Sequence, residues 1–353
     1  MKRILVINPG STSTKIAIFH DEEVAFYDDI HHEPSAFDKQ KTFEDRYKFH
    51  YEAIIDSLKS HEQTMQFDLV MGRGGLMKPM EGGVYKVNER MVADVPLSIY
   101  THPCNLGCVL AKMLADKVGC EAFTADSGNV DEMLPEIHYT GSPLLPHHPI
   151  WHALNQRAIA RRYAREQGKR YEDMNLIVCH LGGGISVALH RKGYAIDCNN
   201  ALDGFGPYSP ERAGTLPAGD LIRLCYSGKF QQDELLKRIS GRAGLTAHLG
   251  TNDMREVVRR IEEGDEKARE VTEGMFMQIS KSIVAEAALL QGAPDAILLT
   301  GGLMHSPYIV EHIKKYISWL APVQVYPGQD EMQALAENGL LVLRGELTAK
   351  EYK

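Results

Sequence analysis

The chain has 353 residues, 44% of them hydrophobic and 24% charged, which is ample for a large core and most naturally for two domains. Its formal net charge of −8 excludes a broad nucleic-acid surface, so basic residues that act must be gathered locally, where an anionic substrate lies. No stretch approaches the roughly 18 apolar residues of a membrane span, and the apolar run after Arg3 stops at Asn8, too short for a signal peptide.

The six cysteines show no disulfide spacing and are expected to be reduced thiols of a cytoplasmic protein. His102, Cys104 and Cys108 lack a fourth ligand nearby, so no metal site is expected of them.

In chain order, Ile4 to Ile7 predicts a buried strand, Asn8-Pro9-Gly10 a tight turn, and Ser11 to Lys15 a polar lead into a second apolar strand. Such a hairpin suits phosphate, because small side chains let hydroxyls and backbone N–H groups come close, and Lys15 adds a point charge. A third strand is predicted over 24–27 and a helix over 42–64, with Tyr51, Ile54, Ile55 and Leu58 on its apolar positions. The strand predicted over 67–71 delivers Gly72-Arg73-Gly74-Gly75. A helix follows over 106–118 with Asn105 as N-cap, then a strand over 122–125 that ends at Asp126. The loop over 135–149, rich in proline and histidine, is the expected domain boundary and one of two hinges. The second hinge is expected at Tyr326-Pro327-Gly328. A helix over 153–166 comes next.

Residues 175–199 then repeat the opening. An apolar strand, a turn, an apolar strand, a basic tip and a third strand recur in the same order, with Asn8 corresponding to His180 and Gly10 to Gly182. The second turn, Gly182-Gly183-Gly184, is richer in glycine. Two phosphate hairpins in one chain are a far more specific signal than one. Beyond them come an irregular loop over 203–215, helices over 218–226 and 232–240, a turn leading into a helix that runs to Glu263, and a long helix over 267–291. The rest reads as a strand over 296–300 running into Gly301-Gly302, a helix over 306–319, a strand over 323–326 and a final helix over 331–347.

Paired phosphate hairpins with a late strand–Gly–Gly turn resemble the actin, sugar-kinase and heat-shock ATPase superfamily. Within it, Asn8-Pro-Gly-Ser-Thr-Ser-Thr-Lys15, Gly72-Arg-Gly-Gly75, His180-Leu-Gly-Gly-Gly184, Ser209-Pro-Glu-Arg-Ala-Gly214, Asp253-Met-Arg255 and Thr300-Gly-Gly302 resemble the acetate kinase family, closest to its butyrate kinase branch. The resemblance covers essentially the whole chain. It implies an α/β architecture of two duplicated ribonuclease H-like domains flanking a nucleotide cleft. Residues 1–149, joined by a C-terminal helix at 329–353, would form the acid-binding side. Residues 150–328 would bind nucleotide and carry the interface of a homo-oligomer.

The implied reaction transfers a phosphoryl group from ATP to a short-chain carboxylate, giving ADP and an acyl phosphate. The nucleophile is already an anion, so charge is the obstacle: two like charges ~4 Å apart repel by about 4 kcal/mol at an effective dielectric near 20. Arg73, as a bidentate fork, would hold the acid, and Arg212 would stabilise the transferring group. His152 and His180 would hydrogen-bond that group, and Asp126 would orient an arginine or a metal-bound water. ATP contacts are expected from Asn8, Ser11, Ser13, Lys15, His180, Gly182, Gly183, Gly184, Asp253, Met254, Arg255, Gly301, Gly302 and Met304. Mg2+ is expected near Asn8 and Glu331, with Asp330 as the alternative to Glu331. Gly74 and Gly75 are expected to leave room for a longer acyl tail, walled by Trp151, Pro207 and Tyr208. Other acids, including isobutyrate, acetate and propionate, stay open, as do two other classes: an actin-fold sugar kinase and a non-catalytic ATPase switch.

Overall fold

A computed structural model describes residues 1–10, 12–33, 42–98 and 103–353. Ser11 and His102, singled out above, fall outside the described residues. The chain divides into two compact units, one of residues 1–130, 153–155 and 330–353, the other of residues 131–152 and 156–329.

In the first unit, β1 (Arg3–Pro9) pairs antiparallel with β2 (Ser13–His20), and β2 with β3 (Glu23–His31). On its other side β1 runs parallel to β4 (Leu69–Gly72), and β4 to β6 (Glu121–Ala125). Two short strands complete the sheet, β5 (Val84–Lys86) beside β6 and β12 (Lys350–Glu351) beside β5. The described strands thus run in the order β12-β5-β6-β4-β1-β2-β3.

The second unit repeats the scheme. β7 (Asn175–Leu181), β8 (Ile185–Arg191) and β9 (Tyr194–Cys198) form the antiparallel meander, and β10 (Ala296–Gly301) and β11 (Val323–Pro327) add parallel strands on the far side of β7. The order is β11-β10-β7-β8-β9. The duplicated α/β fold expected from the sequence is therefore present.

The inner strands are buried along nearly their whole length because helices cover both sheet faces. Side chains alternate between faces. In β7, Ile177, Cys179 and Leu181 join the core made by Phe276, Ile279 and Ile283 of helix Glu266–Glu286, while Leu176 and Val178 pack with Ile159 and Ala160 of helix Ala153–Glu166. In the first unit Leu5, Ile7, Ile16 and Ile18 meet Leu110 and Leu114 of helix Leu106–Val118 and Ile54 and Leu58 of helix Phe43–Ser60. The latter helix starts on a reciprocal capping box between Thr42 and Asp45.

The differences from expectation are local. Helix Phe43–Ser60 ends early, at a turn whose Glu62 has a φ of +54°. The long helix stops at Glu286 and tightens into a 3₁₀ turn over Ala287–Leu290, and the last helix ends at Leu343. Asn105 precedes its helix but does not cap it; its Oδ1 accepts from the Leu76 N–H at 2.8 Å. Strands β5 and β12 and the short helices Glu89–Asp94 and Gly244–Leu249 had no counterpart in the sequence reading.

Candidate active site

In the first unit the turn after β1 is tight, with the Gly10 N–H donating to the Ser13 carbonyl at 2.8 Å. Asn8 stands directly opposite Lys15 in the β1–β2 register, so the two share a sheet face. Arg73 follows β4, and its backbone N–H donates to Ile7 at 2.9 Å, which holds it beside the hairpin. Its guanidinium donates to Asn8 Oδ1 at 3.2 Å and pairs with Glu331 Oε1 at 2.8 Å. Asn8 Nδ2 donates to Glu331 Oε2 at 2.9 Å. Asn8, Arg73 and Glu331 thus form a closed polar triangle. Glu331 is buried and Asp330 exposed, so of the two acids it is Glu331 that meets Asn8. The fork expected to hold a substrate carboxylate is occupied here by a protein one, with further N–H donors left on the guanidinium.

Asp126 lies at the end of β6, buried, with a φ of +42°. Its Oδ1 accepts from the Gly83 N–H at 2.8 Å, bracing the start of β5. A buried non-glycine residue in that backbone region is strained, and such strain gathers at functional sites. The reading of Gly74 and Gly75 as vacant space needs correction. A Cβ on Gly75 would stand 2.4 Å from Asn105 Cα, and one on Gly74 2.5 Å from Ser127 Oγ. These glycines permit close packing and leave no room for an acyl tail.

In the second unit His180 occupies the place in β7 that Asn8 has in β1. Its ring stacks on His152, with centroids 3.8 Å apart and planes 9° from parallel. The turn is closed by a Gly182 N–H bond to the Gly184 carbonyl at 3.1 Å. Ser209 Oγ donates to the Gly183 carbonyl at 2.5 Å and accepts from the Arg212 backbone N–H at 3.0 Å, which clamps the arginine loop to the glycine turn. Arg212 Nη1 donates to Ser240 Oγ at 2.5 Å, while its buried Nε has no hydrogen-bond partner among the described residues. Burial lowers the pKa of this guanidinium, though an arginine stays cationic near neutrality. A Cβ on Gly184 would lie 3.8 Å from both Arg212 Nε and His152 Cε1, so turn, arginine and histidine converge.

Gly183 also lines a cavity of about 950 Å³, with Glu211, Asn252, Asp253, Met254, Arg255 and Gly302 among its walls. That volume suits a drug- or nucleoside-sized ligand. Helix Met254–Glu262 is capped by Asp253, whose carboxylate also binds the Arg255 guanidinium; these bonds to Arg255 pull its pKa down to about 2. Two expected contacts are corrected. Met304 is buried in the core, because the 3₁₀ turn Gly302–His305 directs Leu303 and His305 to the cavity instead. Gly301 is buried at the end of β10, exchanging backbone bonds with Gly328, and a Cβ there would stand 2.2 Å from the Leu181 carbonyl oxygen. The three expected wall residues have structural partners. Trp151 meets buried His190 edge-on, Tyr208 donates its hydroxyl to the Val271 carbonyl, and Pro207 is buried under Gly214. Among the described residues no cluster of three or more His, Cys, Asp or Glu side chains could hold a metal ion.

The acetokinase family model matches residues 151–321. The chain is 54% identical to a probable butyrate kinase of Bacteroides thetaiotaomicron, covering 99% of this chain and 100% of that one. It is 45% identical to butyrate kinase 2 of Clostridium acetobutylicum over 99% of both chains. The chain belongs to the acetokinase family. Solved acetokinase-like structures agree in fold: the acetate kinase of Porphyromonas gingivalis superposes with a TM-score of 0.80 at 19% identity, covering 97% of this chain and all of that one. A propionate kinase of Francisella tularensis gives 0.78 at 17% identity, covering 96% and 99%. ATP is the phosphoryl donor of this acetokinase. The sequence reading missed Ser186, Ser209, Ser240, Glu211 and Asn252. Of these, Ser209 and Glu211, both inside the quoted Ser209–Gly214 motif, carried a signal that could have found them.

Proposed function

We propose that this acetokinase is a butyrate kinase, transferring the γ-phosphoryl group of ATP reversibly to the carboxylate of a short-chain fatty acid. What carries the reading is the convergence of the Gly182–Gly184 turn, Arg212 and the His152–His180 pair beside a nucleoside-sized cavity. Its choice of acid rests on the names of the full-length relatives.

A carboxylate oxygen forms a bond to the γ-phosphorus as the bond to the β,γ-bridging oxygen breaks, and ADP leaves with that electron pair. No proton need move, because acceptor and leaving group are both anions. The work left to the protein is positioning and cancelling charge. Arg212 neutralises the equatorial oxygens, and the histidine pair donates hydrogen bonds to them. Arg73 receives the acid through its remaining donors or by exchange with Glu331. Mg2+ accompanying ATP would neutralise the β- and γ-phosphates. The oxygen donors of Asn8 and Glu331 fit its water shell, since both Glu331 oxygens already accept protein bonds. Six free thiols support a reducing, cytoplasmic setting. Self-association belongs to the same reading: helix Ala218–Cys225 is apolar on one side yet buries none of its residues.

Hydroxylamine trapping tests the proposal across acids from acetate to valerate, with isobutyrate. Hydroxamate should form with the highest kcat/KM for butyrate. A higher value for isobutyrate would move the assignment to branched acids. ATP turnover without hydroxamate would sink it in favour of a switch, and phosphorylation of sugars in favour of a sugar kinase.

A further inference from the structure

Behind His152 runs a chain of polar contacts whose members all belong to the second unit. Tyr171 Oη lies 2.6 Å from His190 Nδ1, and His190 Nε2 lies 3.2 Å from Gln156 Oε1. Gln156 Nε2 lies 2.9 Å from Ser186 Oγ, and Ser186 Oγ lies 2.8 Å from His152 Nδ1.

Counting donors fixes the direction of every bond. Gln156 Nε2 also sits 3.0 Å from the Ser186 carbonyl oxygen, which can only accept, so the amide orientation is set. Gln156 Oε1 therefore faces His190 and must receive an N–H from its Nε2. His190 is fully buried and neutral, its pKa pushed down to about 3 by burial, with Arg157 and Arg161 adding to the effect. Its Nδ1 then carries a lone pair and accepts from the Tyr171 hydroxyl. At the other end Ser186 Oγ receives two N–H bonds, from Gln156 Nε2 and from the His152 backbone at 3.2 Å. Both hydroxyl lone pairs are used, and its single proton must go to His152 Nδ1. Every link points the same way, so each polarises the next.

We propose that this relay holds His152 as the neutral imidazole with its proton on Nε2, making Ser186 and Gln156 positioning residues for phosphoryl transfer. The use of that proton rests on the role given to His152 above; the tautomer does not. With Nε2–H the ring offers a donor to anionic phosphoryl oxygens. With the proton on Nδ1 it would present them with a lone pair.

The test is ¹⁵N NMR of the imidazoles in the full-length protein, with the His152 signals assigned by their loss in His152→Asn. Wild type should show a lone-pair nitrogen at Nδ1 and a protonated Nε2. Gln156→Glu turns the donor facing Ser186 into an acceptor, so the hydroxyl should turn to it and protonation of Nδ1 should rise. Ser186→Ala removes the donor outright and should give a mixture. In both, kcat should fall about 10²-fold while the KM values for ATP and acid stay within about threefold. A protonated Nδ1 in wild type overturns the proposal, as does an unchanged tautomer in both variants. An altered tautomer with unchanged kcat overturns the positioning role. Should wild type form no acyl phosphate with any acid, the functional reading fails while the spectrum still decides the tautomer.

Discussion

In both hairpins the polar residue that ends the apolar run is the sixth of seven in its strand, Asn8 in β1 and His180 in β7. Across the hairpin Asn8 faces Lys15 while His180 faces Ser186, the second turn being one residue shorter, and the surroundings differ as well. Asn8 is locked into an ionic triangle with Arg73 and Glu331, whereas His180 lies flat on a second imidazole beside a glycine turn. Duplication supplied one scaffold, and side chains from later elements gave its two copies different chemistry. One copy concentrates full charges. The other presents oriented N–H groups and a single, partly desolvated guanidinium.

Lysine substitutions should separate the two copies most sharply. Arg212→Lys should lower kcat by about 10³-fold, since a point charge cannot replace a planar fork at the transferring group. Arg73→Lys should chiefly raise KM for the acid, by roughly 10- to 100-fold, through loss of charge-assisted hydrogen bonds. Steady-state kinetics with varied butyrate checks both, and matching effects in the two variants would erase the contrast drawn here.

Glycines give a smaller contrast. Gly75→Ala drives a methyl into the Asn105 backbone and should cost about 1–3 kcal/mol in urea unfolding. Gly302→Ala meets none of the described residues within 4 Å and should leave stability within about 0.5 kcal/mol. If Gly75→Ala proved as stable as the parent, the tight packing around Arg73 would be wrong.

A third contrast lies in pH dependence. Burial holds His50, bonded to Thr14 in the first unit, down to a pKa of about 4, and His190 in the second to about 3. Both are neutral when folded and titrate near 6.5 when unfolded. Their stabilisation is complete above that value and is lost as pH falls toward 4, on the order of 2 kcal/mol for each. His50→Asn should flatten the fall in urea midpoint between pH 6.5 and 4. A slope identical to the parent's would remove His50 from the account.

Much of this was legible in the residues. Continuous apolar runs located β1, β2, β7, β8 and β10, and the recurrence of turn chemistry revealed the duplication. Strand β12 was invisible because Lys350-Glu351 carries no apolar pattern and is a strand only by pairing with β5. Gly74 and Gly75 were misread because a glycine marks open space and close packing with the same letter. Met304 was misplaced because the facing of a 3₁₀ turn depends on the strand it leaves. Ser186 and Gln156 belong to no motif. Their importance comes from which lone pairs are already taken, a property of the folded arrangement.

The return of helix Glu331–Leu343 to the first unit has a consequence for biogenesis. Asn8 and the carboxylate that grips it are separated by 323 positions. Contacts of such long sequence separation form late, because loop closure must be met before they reward the chain. The growing polypeptide can finish its glycine turn and nucleoside cavity while its first hairpin still lacks an anionic brace, so competence should arrive abruptly, at the close of folding.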